Sequence, residues 1–395
     1  MAFFSASPEA AQVLQSVAQP PDPRAIMAAR LPAWTQPFLT WLTAKPAPGE
    51  APVARPALNF VMGALTWMLL GCGLTLCPLL LTEPPLLTWL MLPAGLLATC
   101  CGLGIFQVVV FHHCSHGTVF RSRERNRRIG RLISALLLFK RFDDYQREHM
   151  LHHSPKKLLT EEDEFADFVL GMCGLEPGLP KRELWRRVLV NLASPVFHAR
   201  FLLRRVGASL LTDDWVHGLL GITVWGGALL AAATTGTLLY FAVAWVLPVI
   251  VLLQIATVLR ILCEHRFPEP ALIALRDRTF VCHATAGVFP GSPPPEVRAS
   301  TVAGVLRWAA WWGELLTVHL FARIFVLVGD APCHDFHHRR PATRRWTDYI
   351  HARQEDLEAG SPGFPAGYLE TWGLFQAIDQ NLETLAVTRP EIIER

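Results

Sequence analysis

The sequence contains nine cysteines among its 395 residues but no pair spaced as Cys-x-x-Cys. It therefore lacks the ligand patterns of a rubredoxin-like centre, a zinc ribbon and an attached haem. The dinucleotide-binding pattern Gly-x-Gly-x-x-Gly is also absent. These absences predict that the chain carries no electron-transfer domain, so any redox chemistry would draw electrons from a separate protein.

Charge is scarce as well. Only 17% of the residues are charged, 51% are hydrophobic, and the mean hydropathy is +0.30. This composition is typical of an integral membrane protein. The net charge of +3 gives no indication of nucleic-acid binding. The N-terminal sequence MAFFSASPEAAQ has no basic region followed by an apolar core, which argues against a cleaved secretory signal.

Four long apolar runs, uncharged except for Arg260 at the end of the fourth, are long enough to cross the hydrocarbon core of a bilayer. Their short connectors predict two membrane hairpins in an all-α protein. Lys and Arg are absent from both connectors and dense on the opposite side, so the positive-inside rule places that side and both termini in the cytosol. The compact loops and the lack of a targeting sequence favour a bacterial inner membrane. The predicted spans are residues 57–81, 86–111, 216–235 and 238–260.

The whole chain is predicted to consist of three parts. Residues 1–56 are rich in proline and are interpreted as a cytosolic arm on the membrane surface, with a disordered tail as the alternative. Residues 57–345 form the catalytic membrane domain, and residues 346–395 form a cytosolic helical cap. Residues 301–328 are apolar but interrupted by charges, which favours helices in the membrane plane over a fifth span.

Three short runs hold nine of the 15 histidines: HHCSH at 112–116, HMLHH at 149–153 and HDFHH at 334–338. On a helix, residues three or four apart share one face, so each run can direct two or three imidazoles at one point. Imidazole suits zinc, copper, nickel and iron. Three such runs offer more nitrogens than one tetrahedral zinc can bind, which favours two metal ions.

These runs, placed around two membrane hairpins, resemble those of the membrane fatty-acid desaturase and hydroxylase superfamily. The resemblance covers roughly residues 57–345 and implies a non-haem diiron centre that uses O2. Some members carry an asparagine one turn before a further histidine ligand, where this chain has Ile261. The Cys263–Arg266 stretch (CEHR) is instead similar to a motif of alkane hydroxylases. The ligands that the resemblance implies are His112, His116, His149, His152, His153, His265, His334, His337 and His338.

Other side chains near the runs are candidates to orient the ligand imidazoles through their second ring nitrogen. They are Asp335, Glu264, Asp144 and His113; the acids have an alternative role as solvated surface carboxylates. A basic stretch follows the first run and predicts a docking surface for an acidic donor, a ferredoxin, rubredoxin or cytochrome with its reductase. Its members are Arg121, Arg123, Arg125, Arg127 and Arg128, whose alternative role is to fix topology and bind lipid headgroups.

The sequence thus predicts an oxygen-dependent oxidation of a fatty acyl chain, with desaturation preferred. Hydroxylation of an alkyl or acyl chain and oxidative decarboxylation to a terminal alkene remain open, because the same oxidant serves all three. A haem-binding or metal-transport membrane protein is the non-enzymatic alternative. It is disfavoured because the histidine runs lie outside the spans, whereas transporters place polar groups near the membrane midplane.

Overall fold

The computed structural model describes residues 22–297 and 300–389; a short helix expected at residues 8–17 lies outside them. The protein is mostly helical and has four helices long and apolar enough to cross a membrane, in agreement with the predicted fold class. The main helices are α1 (Pro23–Arg30), α2 (Gln36–Thr43), α3 (Ala57–Leu80), α4 (Leu86–Ser115), α5 (Arg123–Leu137), α6 (Phe142–His152), α7 (Lys181–Ala193), α8 (Pro195–Leu210), α9 (Trp215–Thr234), α10 (Leu238–Glu264), α11 (Val302–Val326), α12 (His334–Arg339), α13 (Tyr349–Glu358) and α14 (Leu374–Val387). Short helical segments cover Glu164–Ala166, Asp167–Met172, Pro270–Leu275 and Arg278–Ala284.

The four candidate membrane helices are α3, α4, α9 and α10. Large apolar side chains on their outer surfaces are exposed, among them Leu69 on α3 and Leu230 on α9. An apolar surface of this extent is stable against lipid tails but not against water. Sequence composition and structure therefore agree on four membrane helices in this part of the chain.

Helices α3 and α4 pack closely because glycines lie at their contact. A Cβ atom on Gly71 would lie 2.3 Å from the backbone nitrogen of Thr99, and one on Gly95 would lie 2.5 Å from that of Thr75. Small residues at such a contact let two backbones approach, which strengthens packing where lipid provides no hydrophobic drive. Helix α4 is thereby held in place up to its last turn, where the first histidine run begins.

Helix α11 ends in a sharp turn before the last histidine run. The segment Val302–Val326 is followed by Ala331–Arg339 at an angle of 82°. If this bent pair is counted as one broken span, the described chain has five candidate spans. The predicted in-plane orientation of residues 301–328 thus remains a prediction.

Segments near both ends of the described part of the chain pack around the histidine end of the bundle. Helix α14 lies against α10 and α7, and a two-stranded parallel sheet pairs β1 (Gly287–Phe289) with β2 (Glu370–Trp372). Lys45 of the N-terminal arm lies 3.1 Å from Asp22 and forms an ion pair with Glu370 beside β2. The arm and the C-terminal part thus contact each other directly. The proposed boundaries at residues 56 and 345 remain predictions.

Candidate metal centre

The first histidine run lies where α4 leaves its regular geometry. A π-helical stretch, Phe106–Phe111, immediately precedes His112. Such a stretch shifts the helix register and is frequent at functional sites. It directs His112 and His116 toward the histidines of α6, while α12 brings its own run to the same place. His265 follows the last residue of α10 in extended conformation and pairs with Thr285.

The nine predicted ligands are brought together in two groups. The first group contains His112, His116, His149, His153 and His337, with one ring nitrogen of each within 4.8 Å of those of the others. The Nε2 atoms of His112 and His337 are 2.7 Å apart, and those of His116 and His149 are 2.9 Å apart. Nitrogens bound to one metal ion at about 2.1 Å lie about 3 Å from each other. The spacing therefore fits a shared ion.

The second group contains His152, His265, His334 and His338, again within 4.8 Å. The Nε2 atom of His265 lies 3.0 Å from that of His152 and 3.0 Å from that of His338. His334 and His338 are separated by 3.1 Å at the same atoms. Each predicted ligand thus belongs to one of two adjacent groups, and none of the nine lies elsewhere.

The electrostatics of the groups favour unprotonated imidazoles. Burial, followed by repulsion from neighbouring histidines, lowers the pKa of seven predicted ligands. They are His116, His149, His153, His265, His334, His337 and His338. For His116 the pKa falls to about 3. Neutral imidazole is the form that binds metal ions. The residues present therefore fit a pair of metal ions with imidazole ligands.

His152 differs because a carboxylate contacts its outer nitrogen. Its Nδ1 atom lies 2.8 Å from Oδ1 of Asp163, which is fully buried. Burial is the largest single effect and would lower the pKa of His152, but the charge and hydrogen bond of Asp163, together with the charges of Glu264 and Glu164, outweigh it and the pKa is raised. Burial would also raise the pKa of Asp163, yet His152 and two backbone amides hold it below its usual value. Asp163 was not predicted from the sequence because nothing there distinguishes it from the other acids of the run 161–164.

Four other residues were predicted as candidates to orient the ligand imidazoles, and two of them lie beside the histidine groups. His113 lies 2.6 Å from Asp330 through Nε2 and stacks on Trp346. Glu264 lies 3.9 Å from Nδ1 of His334. These two residues are therefore in place beside the histidine groups.

Asp335 and Asp144 bind arginines instead. Asp335 accepts hydrogen bonds from Arg353 at 2.7 and 2.9 Å, and Asp144 accepts them from Arg141 and Arg147. A further residue, Tyr145, places its hydroxyl 3.3 Å from Nδ1 of His112. Tyr145 lies four residues before His149 on one helix face, a spacing that would have identified it from the sequence.

A cavity of about 220 Å³ opens beside the two groups. His112, His149, His152, His265 and His334 contribute to its wall. Aromatic and aliphatic side chains form much of the remaining wall, namely those of Val108, Phe111, Phe139, Phe165, Phe168, Phe201, Leu253 and Ile261. The wall around the histidines is therefore largely apolar, as in cavities that hold apolar small molecules.

The basic stretch surrounds another opening. A cavity of about 380 Å³ is lined by His116, Arg123, Arg127 and Gln146, among others. Arg127 donates two hydrogen bonds to Asp143, and Arg128 is paired with Glu124. Arg121, Arg123 and Arg125 are exposed and have no ion-pair partner within the described residues. The stretch thus borders a histidine of the first group.

The family model described as "Fatty acid desaturase" matches residues 87–297, more than half of the chain. The chain belongs to the fatty acid desaturase family. The match contains the first two histidine runs and His265, while the third run lies beyond it. The structure brings the third run to the other two through the histidine contacts described above. A search of curated proteins finds no match.

Proposed function

We propose that this desaturase-family protein oxidises a fatty acyl chain with O2 at a non-haem diiron centre, and that the reaction is desaturation. The observation that carries the proposal is the position of two histidine groups, with nine imidazoles in all, on the wall of a largely apolar cavity. Family membership supports an oxidation of the desaturase or hydroxylase type.

The donor set is compatible with iron, and membership of the desaturase family favours iron over the other metals that imidazole binds. The nine proposed ligands are nitrogens, which suits iron and leaves positions for small molecules if each ion is six-coordinate. Two irons bound there would supply a strong oxidant derived from O2. Such an oxidant is needed because no acid or base in a protein removes a proton from an unactivated carbon at neutral pH.

The residues of the chain position the substrate and exclude water. Phe111, Phe165 and Phe168 line the cavity and offer an acyl chain a dry environment next to the histidines. In desaturation, two C–H bonds on neighbouring carbons break and one C=C bond forms. O2 takes up the two hydrogen atoms removed from the chain, two electrons from a separate donor and two protons, and is reduced to two molecules of water.

Hydroxylation and oxidative decarboxylation use the same oxidant on the same kind of chain. Which product forms depends on the carbon held nearest the metal centre and on whether a second hydrogen lies within reach. The histidine groups are common to all three reactions, so product analysis on a defined lipid is needed to separate them.

We propose that the electron donor, a ferredoxin, rubredoxin or cytochrome, docks at the opening beside His116, where exposed arginines attract an acidic protein. The connectors at 82–85 and 235–237 contain no Lys or Arg, which supports a cytosolic position for the histidine side. A bacterial inner membrane is the location we propose.

The test is the metal content and absorption spectrum of protein purified in mild detergent, followed by product analysis. We expect close to two irons per chain, no Soret band, and an unsaturated product when O2, donor and reductase are supplied. A single zinc ion or a haem spectrum would refute the diiron proposal. Iron at the expected level with only hydroxylated product would refute desaturation while retaining the centre.

A further inference from the structure

Three cations line the cavity beside the histidine groups, and two of them are fully engaged by the protein. Lys140 binds the carboxylates of Glu148 and Glu164. Arg205 donates hydrogen bonds to the backbone carbonyls of Leu137, Leu138 and Val249, which are left open at the end of α5 and in α10. Both residues therefore have a structural role that explains their presence.

The third cation, Arg260, has donors to spare. Its Nη1 atom donates to Oε2 of Glu264 at 2.6 Å, and Glu264 is its one hydrogen-bond partner within the described residues. A guanidinium carries five N–H groups in a planar fork. The side chain is 16% exposed although its neighbours Leu259 and Leu262 are buried, and it lines the cavity. Its remaining N–H groups therefore face the space that a substrate would occupy.

Arg260 lies close to the second histidine group. Glu264 binds Arg260 through Oε2, and its Oε1 lies 3.9 Å from Nδ1 of His334. Allowing for the width of a carboxylate, the guanidinium nitrogen lies at most about 9 Å from that imidazole. A group bound to the open edge of Arg260 would hence place its nearest carbons next to the proposed metal centre.

We propose that Arg260 binds the carboxylate of a free fatty acid, so that oxidation occurs at the first few carbons of the chain. This inference rests on the proposed function and specifies its substrate. A planar carboxylate matches the fork of a guanidinium with two parallel hydrogen bonds. Only the acid offers two charged oxygens to the N–H groups of Arg260 that Glu264 does not bind, which favours a carboxylate over a neutral ester or thioester.

The orientation determines which bonds react. With the carboxylate at Arg260, the methylene groups next to it face the histidines and the tail runs along the apolar cavity wall. Desaturation then breaks one C–H bond on each of the two carbons beside the carboxylate and forms a C=C bond between them. The two hydrogen atoms from these carbons, two donor electrons and two protons reduce O2 to two waters, as in the reaction proposed above.

The first experiment measures binding to the wild-type protein in lipid nanodiscs, with no turnover. A fatty acid, its methyl ester and the corresponding alcohol of equal chain length are compared at equilibrium. We expect the acid to bind about tenfold or more tightly than either neutral analogue, because only the acid forms a charge-assisted pair. Equal affinity of the three lipids would overturn the inference.

Variants locate the binding group. Arg260→Gln should remove the preference for the acid, whereas Arg260→Lys should retain part of it because the charge remains. Arg186→Gln is the matched control, since Arg186 forms an exposed ion pair with Glu183 outside the cavity. Arg260→Lys also keeps Glu264 paired, so it tests the inference if Arg260→Gln fails to fold. An unchanged preference in Arg260→Lys and Arg260→Gln would refute the role of Arg260.

Product analysis separates this inference from the proposed function. Fatty acids deuterated either beside the carboxylate or in mid-chain are supplied to the iron-loaded protein with donor and O2. Loss of deuterium beside the carboxylate supports the binding of Arg260 to the acid. Mid-chain loss with equal use of the methyl ester overturns it but leaves the oxidase function intact, whereas no oxidised product from any lipid overturns the function itself.

Discussion

Asp163 accepts a hydrogen bond from Nδ1 of His152 at 2.8 Å, and the remaining capacity of its carboxylate is filled by the backbone amides of Leu159 and Phe165. The acid is therefore fixed on both sides and cannot turn away from the imidazole. This contact directs Nε2 of His152 toward the second histidine group. It also makes His152 a more basic ligand, which strengthens metal binding.

Replacing Asp163 with Asn should weaken metal binding. The amide group cannot accept hydrogen bonds at both positions, so either His152 or the amide of Leu159 loses its partner. We expect the affinity for the ion of the second group to fall by about tenfold to a hundredfold. Metal titration monitored by absorption measures this change. Glu162→Gln, an exposed neighbour paired with Lys157, is the control, and equal affinities in both variants would contradict the prediction.

His112 and His113 are adjacent in sequence but differ in their contacts. His112 joins the first group through Nε2, while Nε2 of His113 lies 2.6 Å from Asp330 and its ring stacks on Trp346. His112→Ala should therefore remove an ion and abolish activity. His113→Gln should leave the metal content near that of wild type and lower activity less. The reverse order in iron analysis would mean that His113 is the ligand.

The two histidine groups predict separable losses of metal. His337→Ala removes a ligand of the first group, and His152→Ala removes one of the second. Each variant should retain less than the wild-type content of iron, lose activity, and still insert into the membrane, because neither residue lies in one of the four candidate membrane helices α3, α4, α9 and α10. Iron analysis and membrane fractionation together test this, and retained activity in either variant would refute the assignment.

Much of this arrangement follows from local sequence patterns. Uncharged runs give the four membrane helices since length and hydropathy suffice. The histidine spacings place several imidazoles on one helix face, so the nine histidines that meet could be predicted from the sequence. Their partition was not, because His153 joins the group of α4 while its neighbour His152 joins the group of His265.

Other features depend on tertiary contacts that no local pattern encodes. Asp163 is one member of an acidic run, and only the turn at residues 153–163 makes it the buried one. Residues 368–385 have helical apolar spacing, yet the first part of this stretch forms the strand Glu370–Trp372. The strand forms because it pairs with Gly287–Phe289, which is distant in sequence. A strand of three residues is too short to show an alternating pattern. Pairing with a distant segment therefore overrides local propensity there.

The contact between α3 and α4 predicts a selective effect of two glycine substitutions. Gly71→Ala would place its Cβ 2.3 Å from the backbone of Thr99, whereas nothing lies within 4 Å of a Cβ on Gly73. We expect Gly71→Ala to destabilise the protein by about 1–3 kcal/mol through overpacking, and Gly73→Ala to leave stability unchanged. Thermal unfolding in detergent compares the two. Equal melting temperatures would show that the hairpin relaxes freely at this contact.

The arginines beside His116 predict a salt-dependent interaction with the electron donor. Arg121, Arg123 and Arg125 are exposed and lack ion-pair partners within the described chain, so their charge is available to an acidic surface. Replacing all three with Gln should raise the KM for the donor and leave kcat at saturating donor unchanged. The difference from wild type should shrink as salt is added, since ions screen exposed charges. The triple variant Arg55→Gln, Arg200→Gln, Arg389→Gln removes three exposed charges elsewhere and controls for net charge. A KM that stays at the wild-type value at low ionic strength would leave lipid headgroups as the partners of this basic stretch.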